Sequence, residues 1–71
     1  MDGEKKVTLV VAGNYRQFRY YYPQPDRRII FVDCVDRMRG IHGAKVVKVG
    51  TWYERPDLEE IEREIPYVEF I

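Results

Sequence analysis

The sequence predicts an α/β domain in which helices flank a parallel sheet of three to four strands. Two observations lead there. The run Val7-Thr8-Leu9-Val10-Val11-Ala12 is almost wholly apolar and β-branched, and it stops at Gly13-Asn14. A strand that is apolar on both faces needs cover on both, the usual condition of a parallel sheet between helices. The same phrase recurs at Ile29-Ile30-Phe31-Val32-Asp33 and at Val46-Val47-Lys48-Val49-Gly50, and a segment of helical spacing follows each run.

Residues 1–6 read as a frayed polar leader and residues 7–71 as one domain. After strand one, Asn14 stands in the N-cap position of a short helix over residues 15–22. Phe18, Tyr21 and Tyr22 fall at i, i+3 and i+4 there, although Tyr20-Tyr21-Tyr22 is also a β-favouring run. Pro23 and Pro25 stop the helix. Strand two spans residues 28–33, and residues 35–39 have room for barely two helical turns before Gly40 and Gly43. Strand three spans residues 45–49. Pro56 then suits the first position of a third helix, whose positive end is complemented by Asp57, Glu59 and Glu60. Leu58, Ile61 and Ile65 make its buried stripe. Pro66 ends it, and residues 67–71 form a short fourth strand.

The order is therefore β-α-β-α-β-α-β. With right-handed crossovers and strand one central, the spatial order is 2-1-3-4. The first helix then covers one face of the sheet and the other two cover the opposite face. One short, Tyr-rich helix is thin cover, so a partner is expected, most simply a second copy in a homo-oligomer.

Composition bounds the function. With 71 residues, 45% of them apolar, the chain sits near the lower size for a self-sufficient core. A formal net charge of zero argues against nucleic-acid binding through bulk charge. No apolar run approaches the ~18 residues of a membrane span, and the opening residues lack the apolar core of a signal peptide. Cys34 is the single cysteine and cannot form an internal disulfide, which suits a reducing cytoplasm. Charge is polarised along the chain. Residues 14–48 carry eight basic side chains against three acidic, and residues 49–71 carry two against seven, balances of +5 and −5. Such a division makes complementary solvated faces, a basic site for an anionic ligand, or a head-to-tail contact between copies.

In open parallel sheets, ligands bind beyond the carboxyl ends of the strands. Arginine forks for phosphate or carboxylate and aromatic faces for stacking collect at that edge. The candidate ligand-binding set is Asn14, Arg16, Arg37, Thr51, Trp52, Tyr53 and Arg55. Neither G-x-G-x-x-G nor a GK[ST] loop is present, but Gly13-Asn14 can leave amides free at a helix N-terminus. His42 is the only imidazole and falls nearer the opposite edge, so Cys34 reads as a small packed residue and His42 as a loop residue. No catalytic residue is assigned. Asp33, Asp36 and Glu54 have the oxygens for a divalent cation, but Asp33–Arg37 and Asp36–Arg39 pairing accounts for them better, and no metal or cofactor is expected. Thr51 and Glu54 have capping-box spacing.

The segment Gly50-Thr51-Trp52-Tyr53-Glu54-Arg55-Pro56-Asp57-Leu58-Glu59-Glu60, with Val11-Ala12-Gly13-Asn14-Tyr15-Arg16 and Asp36-Arg37-Met38-Arg39-Gly40, resembles small bacteriophage-encoded Rossmann-like proteins. The likeness spans roughly residues 7–65. It implies a phage origin and a bacterial cytoplasm, and it carries over no catalytic residue. Small phage proteins often inhibit host factors or trap host signalling nucleotides. The leading expectation is a non-enzymatic protein that binds a host or phage macromolecule. The alternative is a protein that sequesters a small anionic nucleotide at the carboxyl edge of the sheet, and a small hydrolase or nuclease ranks third.

Overall fold

The computed structural model describes residues 7–69. Three parallel strands stand in the order β2 (Ile29–Phe31), β1 (Thr8–Val11), β3 (Lys45–Lys48). The register sets Val10 opposite Phe31 on one side and Val47 on the other. Leu9, Val10, Val11 and Ala12 are fully buried, which only the central strand of a covered sheet allows. Lysines at both ends of β3 mark it as an outer strand, exposed at each end and half-buried between.

The two faces are unequal. Leu9 and Val11 face the larger core, built with Val32, Met38, Ile61 and Val68. Helix α2 (Leu58–Glu69) and a 3₁₀ turn at Val35–Arg37 supply that cover. Val10 and Ala12 face the smaller core beneath Phe18 of helix α1 (Tyr15–Tyr21), with Tyr22, Ile29, Phe31 and Val49 around it. The sheet is thus covered as the crossovers predicted, one short helix against the rest of the chain.

Asn14 caps α1, its Oδ1 accepting from the Gln17 amide at 2.9 Å. The aromatic run is helical, because Phe18 gains burial against Val10 that an isolated Tyr-rich strand would lack. Its stripe differs from the expected one. Tyr21 is exposed and packs edge to face on Tyr20, while Tyr15 closes on Phe18 and Phe31 instead. The second expected helix shrinks to one 3₁₀ turn, since burying Val35 and Met38 three residues apart suits that tighter spacing.

The fourth strand is a correction. The helix continues through Pro66 to Glu69, so residues 67–69 are helical, and residues 70–71 lie outside the described residues. Pro66 is exposed and costs one intrahelical bond. Val68 outweighs that loss: it extends the Leu58, Ile61, Ile65 stripe and is 1% exposed in the main core. Its carbonyl also accepts from Ala44 N at 3.1 Å, tying the helix end to the start of β3. At the other end, Pro56 and Asp57 form a turn and α2 begins at Leu58, with Ile61 N donating to Asp57 O at 3.0 Å.

A pair of substitutions tests this helix. Val68→Ala is expected to destabilise the fold by about 1–3 kcal/mol through lost packing. Pro66→Ala should raise stability by up to about 3 kcal/mol by restoring a helical donor. Urea unfolding followed by circular dichroism reads both, and a Pro66→Ala protein less stable than the wild type would exclude a continuous helix.

Candidate functional site

Two crevices open between the strand ends at the carboxyl edge, and a side chain of the protein itself fills each. Between β1 and β2 lies Arg55, its side chain only 7% exposed. Its Nε and Nη2 donate to the two oxygens of Asp57 at 3.0 and 2.9 Å. Nη1 donates to the carbonyls of Ala12, at 3.2 Å, and Val32, and Nη2 donates to Asp33 O at 3.0 Å. All five guanidinium N–H groups therefore have partners within the chain. The carbonyls concerned lie just past the ends of β1 and β2, where the sheet ladder no longer serves them.

Between β1 and β3 lies Gln17. Its Oε1 accepts from the amides of Gly13, at 3.0 Å, and Thr51, at 2.9 Å, while Nε2 donates to Thr51 Oγ1 at 2.9 Å. A Cβ at Gly13 would overlap both Thr51 Oγ1 and Gln17 Oε1, so this close approach requires glycine. Gly50 meets the same side chain and has φ +62°, a second reason against any other residue. The amide of Gly13, expected to be free at a helix N-terminus, is engaged. Thr51 makes no capping box with Glu54, because its hydroxyl and amide face Gln17.

The remaining candidates divide between packed and exposed positions. Trp52 joins the main core, with Lys48 Nζ 4.8 Å from its ring centroid and Tyr53 edge-on at 5.6 Å. Asn14 caps α1, and Arg37 pairs with Asp33 at 3.1 Å. Arg16 and Tyr53 are exposed. Asp36 pairs with Arg39 at 2.7 Å. Cys34 is exposed rather than packed, because Val35 takes the buried place in the 3₁₀ turn. Partial desolvation acts to raise the pKa of Asp33, but the hydrogen bond and charge of Arg37 and a bond from the Cys34 thiol outweigh it and hold the carboxyl below its ordinary value. The Asp33–Arg37 pair is therefore complete at neutral pH and is lost as pH falls through that lowered pKa.

Open space lies elsewhere, along the outer edge of β2. A groove of about 520 Å³ has an apolar floor of Tyr15, Phe18, Ile29 and Phe31. Each end carries one acid and one base, Asp26 with Arg27 and Asp33 with Arg37. Phe31 stacks on Phe18 at 5.3 Å and meets Tyr15 edge to face at 5.7 Å, so the floor is one aromatic cluster. Of the ligand-binding candidates drawn from the sequence, only Arg37 lines this groove. Gln17 and Asp57 were missed as fixing groups, and Tyr15, Arg27 and Phe31 as groove residues. The one available signal was the uninterrupted apolar Ile29-Ile30-Phe31 on a strand with no lysine.

Filling both crevices has a measurable consequence. Arg55→Ala should cost about 3 kcal/mol in urea unfolding, because it strands Asp57 and three carbonyls. Gln17→Ala should cost about 1–3 kcal/mol by leaving two amides without a partner. Gln17→Glu keeps an acceptor for both amides and should lose less; equal losses would show that the amides do not depend on that oxygen.

Comparison of the chain with family models, with curated proteins and with solved structures finds no match.

Proposed function

We propose that this chain is a small non-enzymatic binding protein, Rossmann-like in plan, that engages a macromolecular partner by strand addition along the outer edge of β2. The supporting observation is a contrast between two places. The crevices where an open parallel sheet would take a small ligand hold Arg55 and Gln17. The β2 groove is open, apolar along its floor and charged at its ends.

Its main chain is also suited to a guest strand. Arg28 O accepts from Thr8 N at 2.7 Å and Val32 N donates to Val10 O at 2.9 Å, so Arg28 and Val32 point toward β1. Peptide groups alternate along a strand, and those of Ile29 and Phe31 accordingly point outward; the Ile29 N–H donates to Asp26 O at 3.0 Å, which leaves the Ile29 carbonyl and both Phe31 groups for a guest. An extended segment gains affinity from these groups and selectivity from the side chains beside them. The two carboxylates among the groove charges favour a partner of mixed charge over a polyanion.

Sequestration of a small anionic nucleotide is the second reading. What favours it is the same groove, where exposed Tyr15 stands against Phe31 and Arg27 and Arg37 are near. Asp26 and Asp33 weigh against it by offsetting that positive charge.

Native mass spectrometry of the protein purified from cells separates the two. The expected spectrum carries a polypeptide, the protein's own or another, and no nucleotide, and Tyr15→Ala reduces the complex because it removes part of the groove wall. A retained nucleotide, with no polypeptide complex, would overturn the proposal.

A further inference from the structure

We propose that the outer face of α1 binds single-stranded nucleic acid, its arginines holding phosphates and its tyrosines stacking on bases. This surface is a second one, and its occupant does not depend on the strand-addition reading.

The zero net charge of the chain conceals a division across the sheet. On one face α1 contributes two arginines, Arg16 and Arg19, and no carboxylate. On the other face α2 contributes five glutamates and one arginine. From Asn14 to Arg28 the sequence holds four arginines and one acid, Asp26. That carboxylate is engaged by its own turn, accepting from Arg28 N at 2.9 Å. A polyanion is thus attracted to the α1 face and repelled from the opposite one, which the bulk charge does not reveal.

The same helix exposes three aromatic rings, with Tyr15 at 59%, Tyr20 at 78% and Tyr21 at 49%. Arg16 and Tyr20 stand two positions before and after Phe18, the buried residue of α1, so both turn away from the sheet. Arg16 with Tyr20, and Tyr15 with Arg19, are i, i+4 pairs, each setting an arginine one helical turn from a tyrosine. The rings are held before any ligand arrives. Tyr20 packs edge-on against Tyr21 at 5.1 Å, and Tyr15 against Phe31 at 5.7 Å. Rings already held give up less freedom on stacking.

Every nucleobase offers a face for stacking, and the arginine fork matches phosphate, so the combination fits a flexible single strand. An anionic membrane fits less well. The exposed large apolar side chains among the described residues are all tyrosines, with none of the leucine, phenylalanine or tryptophan that enters a bilayer surface.

Fluorescence anisotropy in low salt, with a labelled oligothymidylate of about 15 nucleotides, tests the proposal. Binding is expected, and its logarithm should fall against the logarithm of salt with a slope of about −1.4 for two phosphate contacts. Tyr20→Ala should weaken it at least about fivefold, whereas Tyr20→Phe keeps the ring and should bind as the wild type does. Arg16→Ala should weaken binding and reduce the slope by about 0.7. Both side chains are exposed, and circular dichroism checks that each variant keeps its fold. No anisotropy change at high micromolar protein overturns the proposal. Equal losses in Tyr20→Ala and Tyr20→Phe overturn it too, as does polyglutamate that competes as well as unlabelled oligothymidylate, since charge alone would then suffice. Binding to phosphatidylserine vesicles with none to the oligonucleotide would assign the face to a membrane instead.

Discussion

Burial of β1 on both faces is the constraint from which the rest of this small domain follows. Leu9, Val10, Val11 and Ala12 have no exposed surface, and a 71-residue chain must commit most of its apolar side chains to achieve that. Ile61, Val68, Met38 and Val32 cover one face, while Phe18 covers the other almost alone. The cover is unequal because the first crossover has room for only seven helical residues before Pro23, whereas the last helix runs to twelve. Val68 belongs to the same constraint. The helix passes Pro66 because its next turn completes the larger core.

A central strand buried on both sides creates a second requirement at its end. Main-chain groups leave the ladder there while still partly shielded from water, and each needs a partner. Arg55 supplies donors to carbonyls following β1 and β2, and Gln17 supplies an acceptor to amides following β1 and β3. Asp57 neutralises the Arg55 charge at 2.9 Å, so the cation can be almost wholly buried. The residue types that suit ligand recognition thus also suit closing a sheet end, and here they are used for closure. The place where larger parallel sheets admit a ligand is internally satisfied.

What remains open lies beside the outer strand. β3 is protected by its lysines and by α2, to which Lys48 is joined through Glu62 at 3.3 Å. β2 has neither device; its own turn occupies the Ile29 amide, and the aromatic cluster of Tyr15, Phe18 and Phe31 leaves an apolar trough next to the Ile29 carbonyl and the Phe31 peptide groups. The apolar trough and the outward peptide groups adjoin each other at one edge of the sheet.

The sequence by itself determined the three strands, their parallel cover, the central place of β1, the Asn14 cap and the Asp33–Arg37 and Asp36–Arg39 pairs. Each of these depends on local spacing or on apolar period, which neighbouring residues carry. Tertiary structure alone decided that Pro66 lies within a helix, because the gain from continuing comes from Val68 reaching a core built by distant residues. It also decided the roles of Gln17 and Arg55. Gln17 and Thr51 are 34 positions apart, and Arg55 reaches carbonyls 22 and more positions away. No pattern in sequence distinguishes an arginine turned toward a ligand from one turned toward its own strand ends, since the difference lies in which acceptors the fold leaves unpaired.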